Sequence, residues 1–197
     1  MTFEIKGVKI ELSFSFFTVS ALMLLLSNGK IALMCFFSSV LHELGHLSLM
    51  ILFSQKISSV TFGAFGVRID RAGTGLQSYK KQALIALGGV FVNFALCAFS
   101  VAAYLVSRKE EAAMLFFINL FLALLNLMPA DGLDAWNALD CLLALKYKEE
   151  KAKRVLFVLS TATVVLFSFF CGVYFLMFGL NVSLAAVCVY LIFLKFK

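Results

Sequence analysis

Charge is scarce in this sequence. Only 14% of its 197 residues are charged, histidine occurs twice, and proline and tryptophan occur once each. A soluble domain of this length needs far more polar surface to cover itself, so an ordinary water-soluble fold is excluded. Cysteine offers no scaffold either. Cys35, Cys97, Cys141, Cys171 and Cys188 are odd in number, form no C-x-x-C and sit mostly in hydrophobic runs, so they read as small apolar residues. No repeat, low-complexity tract or long polar linker interrupts the chain, and residues 1–197 read as a single membrane-embedded domain. The first hydrophobic run ends at Ser27-Asn28-Gly29 without a small-x-small site just beyond, which argues against a cleavable signal peptide.

What is abundant is apolar length. Hydrophobic residues make up 62% of the chain and the mean hydropathy is +1.00. A bilayer span takes about 20 such residues. Ser13–Gly29, Ile31–Ser54, Ala83–Val106 and Ala112–Met128 each supply one, and Val155–Leu194, without a single charge, supplies two. Gly179 and Asn181, which tolerate bends, are the expected turn in that last stretch. The expected architecture is therefore an all-α polytopic membrane protein of about six transmembrane helices. With six spans, all but Lys30, Arg108 and Lys109 of the 17 lysines and arginines fall on one side. The positive-inside rule makes that side, with both termini, cytoplasmic. The net charge of +6 is this bias scattered over short loops, not a basic patch for nucleic acid. Trp136 and the basic run Lys146–Arg154 suit anchoring at anionic headgroups.

Two stretches alternate as strands do. Phe3, Ile5, Val8, Ile10 and Leu12 flank Lys6-Gly7; Val60, Phe62, Phe65, Val67 and Ile69 flank Gly63–Gly66. Both hairpins fall on the expected cytoplasmic face, where they could pair into a small sheet.

Chemistry concentrates in the second span, which reads Leu41-His42-Glu43-Leu44-Gly45-His46. Residues four apart on a helix are offset by only about 40° and about 6 Å. Both imidazoles of this H-E-x-x-H therefore face one way and can ligate one zinc, with Glu43 beside it to take a proton from bound water. A Glu at membrane depth costs about 2.5–3.5 kcal/mol on insertion scales and needs a partner, a cavity or a function. Catalytic zinc usually has three protein ligands, and no other histidine exists. Asp131, Asp134 and Asp140 follow the fourth span, just past Pro129, where the helix should break. Counting 1.5 Å per residue inward from Ile31 and Ala112 puts His42, His46 and Asn126 at similar depths, roughly 17–23 Å. Asp131, Asp134 or Asp140, the aspartates beyond the break, could complete the site.

These residues carry a family resemblance over roughly Lys9–Trp136. The chain resembles the site-2 protease family of intramembrane zinc metalloproteases, which combines H-E-x-x-H with N-x-x-P-x-x-x-L-D-G on a later helix. Asn126, Pro129, Leu133 and Asp134 match that spacing, while Ala135 stands where the family has Gly. The resemblance implies His42, His46 and Asp134 as ligands of one zinc per chain and Glu43 as general base. Asp131-Gly132 matches D-G at the wrong spacing and stays a lesser candidate. Gly89-Val90-Phe91-Val92-Asn93 is similar to the family's G-P-x-x-N, with Val for Pro. It implies that Asn93 helps hold the substrate peptide or the developing oxyanion, while Gly88 and Gly89 let helices approach closely.

The short form without a PDZ or CBS domain looks most like the branch that includes the sporulation protease acting on a sigma-factor precursor. The implied function is hydrolysis of a peptide bond in a membrane-spanning or membrane-associated protein. The implied partners are that substrate, the lipid bilayer and a membrane regulator. A helical substrate would have to unwind, and an edge strand within Val60–Ile69 could hold it by β-addition. A metal-ion transporter or sensor, or an inactive binding scaffold, are the competing classes. A transporter usually needs several ligand stations, and the spans hold no second acidic cluster. The role of the hairpin 155–194 stays open.

Overall fold

The computed structural model describes residues 2–5, 8–12, 29–55, 57–63, 66–71 and 78–196. The first expected span, Ser13–Gly29, lies outside them except for Gly29. By contacts the chain divides into two compact units, Met1–Leu124 and Leu125–Lys197.

Unit 1 begins with a sheet. Strands β1 (Thr2–Ile5) and β2 (Val8–Leu12) form one antiparallel hairpin. Strands β3 (Ile57–Gly63) and β4 (Gly66–Arg71) form the other. β2 and β3 join them in parallel, in the order β1-β2-β3-β4. Both expected hairpins and their pairing are present. One expectation changes: β3, with Val60 and Phe62, is bonded on both sides, so β1 and β4 are the sheet edges. A strand already paired on both flanks offers no ladder to an added peptide.

The helices of unit 1 follow the apolar runs. They are α1 (Gly29–Leu52), the short α2 (Tyr79–Ala86), α3 (Gly88–Ser107) and α4 (Glu110–Asn126). α1 and α3 pack closely because glycine faces glycine. A Cβ on Gly45 would come within 2.5 Å of the Gly88 carbonyl oxygen, and one on Gly88 within 2.7 Å of the Gly45 oxygen. Close backbone approach through small residues is how apolar helices associate where burial from water drives little. α1 and α4 run the same way in register. Lys30 pairs with Glu111 at their starts, and eight residues further along each helix Asn119 Nδ2 donates to Ser38 Oγ at 3.1 Å. The second and fourth spans are expected to run in one common direction, and these two helices do.

Unit 2 contains α5 (Asp134–Ala144), α6 (Glu149–Phe178) and α7 (Val182–Phe196). The expected turn separates α6 from α7: Gly179 has φ +84°, and Asn181 Oδ1 accepts the Leu184 N–H at 3.2 Å. The chain also breaks at Pro129 as expected. α4 stops at Asn126, and helix resumes only at Asp134, after Gly132 with φ +82°. Ala130 and Leu133 are buried there against Val164 and Leu191, with Phe167 and Leu194 packed alongside.

Among the described residues α1, α3 and α6 are long and apolar enough to cross a membrane, while α4 and α7 are apolar but shorter. The chain is a multi-pass membrane protein.

Candidate metal centre

The two histidines are the product of one helical turn. His42 and His46 project from the same face of α1, and their Nε2 atoms lie 3.3 Å apart. Each ring is held from behind. His42 Nδ1–H donates to Asn93 Oδ1 of α3 at 3.1 Å, and His46 Nδ1–H donates to the Ile85 carbonyl at 2.8 Å. Ile85 is next to the end of α2, where carbonyls lack partners within the helix. Committing both Nδ1 atoms as donors fixes the tautomer in which Nε2 carries the lone pair that a metal would use.

That spacing tests the fit of zinc. Two nitrogens bound to one tetrahedral zinc at about 2.0–2.1 Å stand about 3.3 Å apart, which is the separation of the two Nε2 atoms. The donor types also fit: the two imidazoles, with the carboxylate that the resemblance implies, are a donor set that catalytic zinc takes. Within unit 2, Asp134 is half-buried in the first turn of α5, where a carboxylate is favoured by the helix dipole. Glu43, half-buried, follows His42 directly in α1.

Gly89 makes room for the pair. A Cβ there would sit 2.5 Å from the His42 ring, so no other residue lets α3 pass behind that imidazole unchanged. The close approach expected of Gly88 and Gly89 is present, and at Gly89 it makes room for the His42 ring itself.

Asn93 is wholly buried, and its amide oxygen is occupied by His42. Its Nδ2 donates weakly, at 3.5 Å, to the Asn119 carbonyl. This is a contact with His42 on the side of the ring away from Nε2, beside the contact with peptide or oxyanion that the resemblance implies. Ser38, Asn119 and Ile85 were missed by sequence reasoning. Ser38 was the most legible of the three, lying one turn before His42 on the same helical face.

Asp131 is engaged elsewhere. Lys195 Nζ and Ser160 Oγ both reach its Oδ2, each at 3.3 Å. Asp140 is exposed on α5.

Comparison with known proteins bears on this arrangement at the level of the whole fold. The structure aligns with the site-2 protease from Methanocaldococcus jannaschii over 99% of this chain and 93% of that one, with a TM-score of 0.67 and 22% identity. The chain has the site-2 protease fold. In sequence it is 29% identical, over 153 residues, to the stage IV sporulation protein FB of Bacillus subtilis. That alignment takes in 75% of this chain and 52% of the relative, so the chain spans about half the relative's length. No family model matches. In fold and sequence together the chain resembles the site-2 protease family and its sporulation branch.

Proposed function

We propose that this protein is a zinc-dependent intramembrane endopeptidase, with His42, His46 and Asp134 holding one zinc ion and Glu43 as general base. The observation that carries the reading is the pair of Nε2 atoms 3.3 Å apart, each ring backed by an oxygen acceptor, on the helix that also bears Glu43. The resemblance to site-2 proteases supports it.

Zinc, when bound, polarises a carbonyl and lowers the pKa of a water toward neutrality. The chain's own residues do the rest. Glu43 takes the proton of the attacking water and returns it to the departing amine. Asn93 and the Ile85 carbonyl keep both imidazoles aimed. The substrate is a membrane-spanning or membrane-associated protein, locally unwound, since carbonyls in an intact helix are occupied by hydrogen bonds. β-Addition, if used, takes place at β1 or β4. Both termini face the cytoplasm, residues 1–197 act as one domain, and a membrane regulator controls access.

The test joins zinc content with cleavage. The purified chain should carry about one zinc, lost in His46→Ala and Asp134→Ala and still bound by Asp131→Ala. Glu43→Gln should keep the zinc and lose at least about 100-fold in cleavage of a membrane substrate. Zinc indifferent to His46→Ala would remove the catalytic reading, and full cleavage by Glu43→Gln would remove Glu43 as base.

A further inference from the structure

The proposed third ligand follows an unusual loop. Residues 127–133 contain Pro129, which has no N–H, and a tight turn in which Gly132 takes φ +82° and the Leu133 N–H donates to the Ala130 carbonyl at 3.1 Å. Two further contacts fix that turn against the helices that follow it. One is the apolar seating of Ala130 and Leu133 between α6 and α7. The other is ionic. Lys195, in the last turn of α7, is 3.3 Å from Asp131, donates to Ser160 Oγ and to the Phe157 carbonyl at 3.4 Å, and lies 4.0 Å from the centre of the Phe157 ring.

Neither charge is a solvated surface group: the side chains of Lys195 and Asp131 are 11% and 25% exposed. In apolar surroundings an ion pair gains little over an apolar pair of the same shape, but removing one partner leaves a charge that must be moved or neutralised. As a carboxylate Asp131 can therefore stay where it is only while Lys195 does, and Asp131 lies three residues before Asp134.

We propose that Lys195 is a positioning residue: through Asp131 it fixes the loop that presents Asp134, which makes the hairpin α6–α7 part of the metal site's support. This inference rests on the reading of Asp134 as the third ligand.

The experiment uses the full chain with Lys195→Met, Lys195→Arg, Asp131→Asn and the double variant Asp131→Asn/Lys195→Met. Zinc affinity is measured by chelator competition, and the absorption spectrum of the cobalt-loaded protein reports ligand geometry. Lys195→Met and Asp131→Asn should each weaken zinc about tenfold, the lower end for outer-shell partners, and shift the cobalt spectrum. The double variant, with no stranded charge, should recover most of the loss, and Lys195→Arg should stay near wild type. Unchanged affinity and spectrum in either single variant, even with a lower melting temperature, would overturn the proposal. So would complete zinc loss in Asp131→Asn that the double variant fails to repair, because Asp131 would then be the ligand. If Asp134→Ala keeps its zinc, the underlying site reading is what fails; if Asp134→Ala loses zinc and Lys195→Met does not weaken it, only this proposal fails.

Discussion

The two units bury different things. Around the histidines, unit 1 buries Ser38, His42, Asn93 and Asn119, with Gly45, Gly88 and Gly89 where helices touch. Around the loop before Asp134, unit 2 buries mostly apolar groups, Ala130, Leu133, Val164 and Leu191, and holds one shielded ion pair with the buried Ser160 beside it. The difference follows from what each must present. Two imidazoles need a fixed tautomer, which only hydrogen bonds supply, and backbones close enough to deliver them. A single carboxylate on a helix end needs only a loop that does not move, and apolar packing with one charge lock provides that.

Enlarging a glycine should break this contrast most strongly. Gly45→Ala sets a methyl group 2.5 Å from the Gly88 oxygen, and Gly89→Ala sets one 2.5 Å from the His42 ring. Overpacking of this kind costs about 1–3 kcal/mol, and more where backbone meets backbone. Gly45→Ala should therefore lower the melting temperature more, and Gly89→Ala should lose more zinc, since it displaces a ligand. Gly172 in α6 has nothing within 4 Å of an added Cβ, so Gly172→Ala should leave both stability and zinc intact. Equal effects at all three positions would dissolve the distinction between the units.

How much of this was legible in the sequence depended on the reach of each interaction. The H-E-x-x-H face, the break at Pro129, the turn at Gly179–Asn181, both hairpins and the close approach at Gly88-Gly89 are set by neighbouring residues, and the sequence showed them. The partner of His46 was not legible, because it is the backbone carbonyl of Ile85, and a backbone atom leaves no mark in a pattern of side chains. α2 was not foreseen as a separate helix, since its residues merge with the apolar run that becomes α3. Asn93 was singled out, but its contact with His42 depends on how α1 and α3 pack. Asp131 and Lys195 are 64 positions apart in sequence, and no local spacing hinted at their pairing.

Asn93 allows a finer test of the hydrogen-bonded half. Asn93→Ala removes the acceptor behind His42 and should weaken zinc about 10–100-fold. Asn93→Asp keeps an oxygen there and should retain most of the affinity. A direct role toward the oxyanion predicts the opposite split: zinc unaffected in both variants and turnover lost in both, because neither Ala nor a carboxylate donates a hydrogen bond. Zinc titration beside turnover at saturating substrate separates the two roles.

The smallest effect belongs to the other ion pair of unit 2. Glu149 and Lys153 sit four residues apart at the start of α6, with side chains 80% and 71% exposed. Their contact is short, yet exposed pairs are screened by solvent and salt and hold two long side chains at an entropic cost. Lys153→Ala should leave the melting temperature and zinc affinity within error of wild type, at low and at high salt. Lys195→Met, on the same unit and removing the same kind of charge, should change both. If the two substitutions behave alike, shielding is not what separates the pairs, and the lock on the Asp134 loop must come from the apolar seating of Ala130 and Leu133 alone.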